Sequence, residues 1–233
     1  MSSKLAVLGL PSKGRIRTAV DELLASCGLP LGGCEDRGYL GFAGGISWAR
    51  VPAAELARQL VAGGVDLALT GMDLVCEAYL KARLARYRAP FQSVGLARRF
   101  ELAKASIGLL APSAWFDIKS VGDLRVLSAL SKLVVVSKYE ALTARFLKRC
   151  HVDNFVVKTS PSPMEIEPFR SCCFVVDVVS SGATAKHNLL KPLVGGQALE
   201  SSLCLFYGAS RPLELPAKAL IRGLTPKRTP CCF

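Results

Sequence analysis

Short apolar runs alternate with amphipathic stretches through the first eighty or so residues, and that alternation limits the fold more than any other feature. Leu5–Leu10 reads as a strand, followed by a helix over Gly14–Cys27 with Ile16, Val20, Leu23 and Leu24 on one side. A short strand is expected near Tyr39–Phe42 and another at Ile46–Val51. Pro52 suits a first helical turn and opens a helix through about Ala62. Gly63-Gly64 ends that helix, Val65–Leu69 reads as a buried strand, and a helix follows over Gly71–Tyr79. Strand and helix taking turns in this way imply an α/β fold with a mostly parallel sheet.

A second group of elements begins near Val94. Strands are expected near Ser93–Leu96, Phe100–Leu110, Leu133–Val136, Asn154–Val157, Phe174–Val179 and Leu203–Tyr207. Helices are expected near Val121–Leu124, Tyr139–Cys150, Met164–Arg170 and Pro216–Arg222, and the tail Thr225–Phe233, with two prolines, reads as loose. At 233 residues the chain suits one large domain or two lobes.

Composition removes several function classes. Hydrophobic residues make up 51% and charged ones 21%, which is a globular balance. No apolar run reaches the roughly 18 residues of a membrane span. The start, Met1-Ser2-Ser3-Lys4 before Leu5–Leu10, lacks a small-residue cleavage site and reads as a first strand rather than a signal peptide. Nine cysteines include no CxxC, and His151 and His187 are the only histidines, so a zinc site is not expected. The odd count points to reduced thiols in a cytoplasmic protein.

The net charge of +12 calls for polyanionic partners, either nucleotides and pyrophosphates or nucleic acid. It is densest between Lys81 and Lys104, where a solvated helix face explains it equally well. With 7% aromatics and no basic motif interleaved with them, nucleic acid is disfavoured.

Three strand-end loops carry ligand chemistry. Phe174–Val179, which includes Asp177, runs into Ser180-Ser181-Gly182-Ala183-Thr184. Backbone N–H groups of such a turn, with three hydroxyls and a permissive glycine, suit a sugar phosphate, and Asp177 can accept from a ribose diol. A plain strand–turn–helix with a capping serine explains the same residues. Lys13 and Arg15 lie on a tight loop after the first strand, at the end where open α/β sheets bind ligands. Asp73 and Glu77, after Gly71, share one face of a helix.

Taken in order, these motifs resemble the ATP phosphoribosyltransferase family. The matching stretches are Leu10–Arg15, Val65–Glu77, Lys138–Thr143 and Val176–Thr184, and the likeness spans about Leu5 to Tyr207. The resemblance implies a two-lobed periplasmic-binding-protein-like fold, with mostly parallel sheets, helices on both faces and a cleft between the lobes. Lobe I would comprise residues 1–92 plus 190–233 on the nucleotide side. Lobe II would comprise 93–189 and carry the phosphoribosyl pyrophosphate loop.

The implied reaction is attack by N1 of ATP on C1′ of phosphoribosyl pyrophosphate, giving phosphoribosyl-ATP and pyrophosphate at the start of histidine biosynthesis. Asp177, Glu165 and Arg50 would be the catalytic residues, and Ser180, Ser181, Gly182, Ala183 and Thr184 would hold phosphoribosyl pyrophosphate. Lys13, Arg15, Gly71, Asp73 and Glu77 would serve ATP or pyrophosphate. Mg²⁺ would ride mainly on pyrophosphate oxygens, with no protein metal cage. The resemblance implies a homodimer, and the likeness to the short form of the family implies a separate regulatory subunit like histidyl-tRNA synthetase. The chain departs from the family's glycine-rich LGFG-like stretch at Gly95–Phe100, where Arg98-Arg99 stand, and near Cys172-Cys173. These departures motivate an alternative: a catalytically degenerate ligand-binding or scaffold protein on the same fold.

Overall fold

The computed structural model describes residues 6–29, 39–43, 45–85, 91–159, 173–179, 182–210, 212–213 and 215–224. The chain forms two compact units, residues 1–103 with 202–233, and residues 104–201.

The first unit is built on a six-stranded sheet. Its strands are β1 (Val7–Pro11), β2 (Leu40–Ala43), β3 (Ile46–Val51), β4 (Leu67–Gly71), β5 (Val94–Arg99) and β11 (Leu203–Gly208), in the order β2-β3-β1-β4-β11-β5. β1 runs parallel to β3 and β4, whereas β11 lies antiparallel between β4 and β5. Alternation along β4 and β11 decides where the helices go. Leu67, Leu69, Leu203 and Leu205 face one side and pack with Ala19, Val20, Leu23 and Leu24 of α1 (Gly14–Ser26) and Ala217 of α7 (Leu215–Gly223). Ala68, Cys204 and Phe206 face the other side. There they meet Leu56, Ala57 and Leu60 of α2 (Ala53–Ala62) and Val75 of α3 (Met72–Leu84). Leu56 and Leu60 are 0% exposed, so truncating either to alanine costs about 2–5 kcal/mol. Pro52 precedes α2, and Gly63, at φ 80, ends it in the left-handed conformation that glycine adopts without strain.

The second unit has a five-stranded sheet, ordered β10-β6-β9-β7-β8. These strands are β6 (Ala105–Pro112), β7 (Leu133–Ser137), β8 (Phe155–Lys158), β9 (Phe174–Val179) and β10 (Leu190–Ser201). β7 is parallel to β8 and β9, while β6 is antiparallel to β9 and β10. Leu110, Val136, Val175 and Leu190 pack on one face with Ala185 of the short helix α6 (Ala183–His187). α4 (Val121–Leu130) starts with a capping box in which the Ser120 side chain accepts from the Asp123 N–H and Asp123 accepts in return. α5 (Glu140–Arg149) follows β7 directly.

Each sheet thus has a parallel part, β3-β1-β4 in the first and β9-β7-β8 in the second, with antiparallel pairings elsewhere, including β2 against β3 at the edge of the first sheet. The unit boundaries fall at 103/104 and 201/202 rather than at 92/93 and 189/190. β5 belongs to the first sheet through its bonds to β11, and β10 belongs to the second through its long pairing with β6. α3 extends past Tyr79 to Leu84, with Lys81 and Arg83 in its last turn, where cations suit the helix dipole. The expected helix over Met164–Arg170 and the tail from Thr225 lie outside the described residues.

Candidate active site

In the second unit the apolar strand β9 delivers Asp177 to the surface, half-buried beside fully buried Val175 and Val176. Its Oδ1 accepts from the Val178 backbone N–H at 2.8 Å, which fixes the orientation of the carboxylate at the end of the strand. Gly182 follows at φ 74, a left-handed position that an L side chain rarely takes, and it opens α6. Asp177, Gly182, Thr184 and Ala185 line one pocket, with Val175 and Leu110 behind them. Ala183 and Thr184 are exposed, and the Thr184 carbonyl is occupied by the Asn188 side chain at 2.9 Å. Ser180, Ser181 and Glu165 lie outside the described residues.

The neighbouring strand supplies a support that the sequence did not reveal. Ser137, fully buried at the end of β7, donates to the Val176 carbonyl at 2.7 Å and accepts from the Tyr139 N–H at 2.9 Å. One hydroxyl thus ties the strand that carries Asp177 to the start of α5. The only sequence signal for it is a serine closing an apolar strand immediately before Lys138-Tyr139.

In the first unit, Lys13 stands extended before α1 without a side-chain cap, and both Lys13 and Arg15 are exposed. Arg50 is buried beneath this loop. Its Nη1 donates to the Pro11 carbonyl at 3.2 Å, and its Nη2 donates to Asp21 Oδ1 at 2.6 Å. Arg17 meets the other Asp21 oxygen at 3.4 Å and the Ser12 carbonyl at 3.2 Å. Asp21, which the sequence reading passed over, is the hub that holds two arginines against the loop carbonyls.

At the end of β4, Gly71 makes room for its neighbour: a Cβ there would collide with Asp73 Oδ1 and press on Ile16. Asp73 and Glu77 are both buried on α3, and Glu77 pairs with Lys81 at 3.1 Å. Gly71, Asp73 and the start of α1 are thus brought together, and the Lys13 loop with Arg50 forms a second group at the end of β1. Nearby on β11, burial pushes the Cys204 thiol up, while the Ser202 hydroxyl and the Arg99 charge pull it down. Among the described residues no group of three or more His, Cys, Asp or Glu is gathered to hold a metal ion. No helix among them is long and apolar enough to cross a membrane.

The family model for ATP phosphoribosyltransferase (HisG) matches residues 52–224. The ATP phosphoribosyltransferase of Chelativorans sp. (strain BNC1) is 33% identical over 221 residues, covering 89% of this chain and 92% of that protein. The one from Rhizobium meliloti (strain 1021) is 31% identical over 210 residues, covering 85% and 87%. Among solved structures, the ATP phosphoribosyl transferase (HisG:HisZ) complex from Thermotoga maritima shares the fold with a TM-score of 0.72 at 16% identity, over 94% of this chain and 96% of that one. The substrate binding protein of an amino acid ABC transporter shares it with a TM-score of 0.53 at 14% identity, over 95% and 90%.

Proposed function

The chain belongs to the ATP phosphoribosyltransferase family, and from that premise we propose how its two units divide the substrates. The enzyme transfers the phosphoribosyl group of phosphoribosyl pyrophosphate to N1 of ATP, releasing pyrophosphate, in the first step of histidine biosynthesis.

The second unit takes phosphoribosyl pyrophosphate. The observation that carries this assignment is a half-buried Asp177, held by the Val178 N–H, in one pocket with Gly182 and Thr184. The turn from Ser180 to Thr184 cradles the 5′-phosphate through backbone N–H groups and hydroxyls, and Asp177 accepts from the ribose diol. Glu165 orients the ribose or the pyrophosphate. The first unit takes ATP: Lys13 and Arg15 meet phosphate oxygens, and Gly71, Asp73 and Glu77 border the nucleotide. Arg50 acts on this site by fixing the loop that presents Lys13, a role its contacts with Pro11 and Asp21 support.

Cationic character grows at C1′ as pyrophosphate leaves, so alignment and charge stabilisation carry the rate and no side-chain nucleophile is needed. Mg²⁺ would be carried mainly by the substrate's pyrophosphate and would screen its charge as it leaves. The enzyme works in the cytoplasm as a homodimer, joined by a regulatory subunit like histidyl-tRNA synthetase. The likeness to one chain of a HisG:HisZ complex supports the last point.

Pyrophosphate release and product absorbance, measured with ATP, phosphoribosyl pyrophosphate and Mg²⁺, test the assignment. The wild type turns over and Asp177→Asn loses about 100-fold or more in kcat while keeping its fold. A wild type that stays inert even with the regulatory subunit present refutes it in favour of a degenerate scaffold.

A further inference from the structure

Arg98 and Arg99 are neighbours on β5 but leave it on opposite faces of the sheet. Arg98, opposite Leu205, donates from Nη1 to the Leu224 carbonyl at 2.8 Å, just beyond the end of α7. That is a structural role, a cation on a helix C-terminal carbonyl. Arg99, opposite Cys204, emerges on the face that carries α2 and α3. Its Nε donates to Ser202 Oγ at 2.9 Å, and Ser202 is 1% exposed. Among the described residues neither Nη group of Arg99 has a hydrogen-bond or ion-pair partner. Glu77 pairs with Lys81 at 3.1 Å, and the Asp73 carboxylate lies against Gly71. One N–H is thus spent on orientation. The outward edge of the fork, which grips oxyanions in a bidentate manner, is left over on an exposed side chain.

The position of that fork is specific. In the register of the sheet, Gly9 lies opposite Ala68, Thr70 opposite Cys204, and Cys204 opposite Arg99. Pro11, two residues beyond Gly9, is therefore level with Thr70, and one row runs Pro11, Thr70, Cys204, Arg99. Three strand spacings separate its ends, about 14 Å. Exposed Lys13 follows Pro11 at one end of the row, and Arg99 stands at the other. The start of α3 lies between them, and there the Thr70 hydroxyl, 0% exposed, has no partner. β1, β4 and β5 all point their carboxyl ends to this edge, where open α/β sheets take ligands.

We propose that Arg99 is a phosphate-binding residue of the nucleotide site, taking a phosphate of ATP at the β5 end of this edge. Ser202 is its positioning residue. The inference rests on the assignment of ATP to the first unit, and it concerns a side chain standing where the resembling family carries a glycine-rich stretch.

Calorimetric titration of the full-length chain with ATP, and separately with phosphoribosyl pyrophosphate, tests it in the wild type, Arg99→Ala, Arg99→Lys and Ser202→Ala. Arg99→Ala should weaken ATP binding about ten-fold, and Arg99→Lys, which keeps the charge without the fork, about three-fold. Ser202→Ala should cost about three-fold, since the guanidinium remains but is no longer held. Affinity for phosphoribosyl pyrophosphate should be unchanged in all three. The ATP affinity of Arg99→Ala should also fall less steeply with added salt than that of the wild type. An Arg99→Ala protein that binds ATP as tightly as the wild type overturns the proposal, as does an equal loss for both substrates. A wild type that binds ATP but fails to turn over removes the catalytic reading alone and leaves the Arg99 comparison decisive.

Discussion

Arg50 and Asp21, 29 residues apart in sequence, meet at 2.6 Å between guanidinium Nη2 and carboxylate Oδ1, and the arginine is the buried partner. The Arg50 side chain is 7% exposed against 41% for Asp21, and its Nη1 also serves the Pro11 carbonyl. A cation placed this way braces the Lys13 loop from below. Arg50→Met should cost about 2–4 kcal/mol in urea unfolding, since it removes a buried guanidinium that serves the Pro11 carbonyl and one oxygen of Asp21 together. Asp21→Asn should cost about 1 kcal/mol, because its carboxylate is screened by solvent. Equal effects would mean that the two residues do not act as a brace and its anchor.

Ser137→Ala leaves the Val176 carbonyl and the Tyr139 N–H without the hydroxyl that joins them. Both contacts are buried, so the loss should be about 1–3 kcal/mol. The KM for phosphoribosyl pyrophosphate should rise as well, because β9 carries Asp177. Ser137→Thr keeps the hydroxyl and should recover most of the KM even if its extra methyl reduces stability.

Gly182→Ala isolates the backbone of the turn proposed to hold the 5′-phosphate. Nothing lies within 4 Å of a Cβ built there, so crowding plays no part, and φ 74 is the whole cost, about 1–2 kcal/mol. Strain of that size is relieved by moving the turn. Thermal stability should fall slightly, while affinity for phosphoribosyl pyrophosphate falls several-fold. A variant destabilised but unchanged in that affinity would separate the turn from substrate binding.

The capping box gives a pH signature. The Lys119 and Ser120 N–H groups, with the Ser120 hydroxyl, hold the Asp123 carboxyl below its ordinary value of 3.8. A carboxyl depressed in the folded state stabilises above its unfolded pKa and loses that contribution as pH falls through the folded one. The difference in unfolding midpoint between wild type and Asp123→Ala should therefore be full at pH 7. It should shrink progressively below about pH 4. A difference independent of pH would show that the carboxylate charge is not what caps α4.

The sequence exposed some of this plainly and hid the rest for physical reasons. β3 and β9 have the bounds that periodicity suggests, because Pro52 and the Ser180-Ser181 pair punctuate them sharply. β10 escaped notice: Pro192, Gly195 and Gly196 interrupt its pattern, and its pairing with β6 shifts register twice between Pro192 and Leu199. A bulged strand has no constant period to read. Lys13, Arg15 and Asp177 announce ligand chemistry by type and position, whereas Arg50 looks the same on paper and is buried. Burial depends on Asp21 and Pro11 coming together across the sheet, and local pattern carries no trace of that. The partition of Arg98 and Arg99 to opposite faces follows from pleat and register alone, and the register became visible only with β11 in place.

β11 has a further consequence. It is the sole strand joining β4 to β5, and it comes after all of residues 104–201 in the chain. As the polypeptide emerges from the ribosome, β5 has no sheet neighbour to pair with until Leu203–Gly208 arrives. The inserted unit is contiguous and can close on itself first. A nascent chain halted just before Leu203 should therefore carry a protease-resistant guest inside a protease-sensitive host, and the first unit would be the last part to be completed.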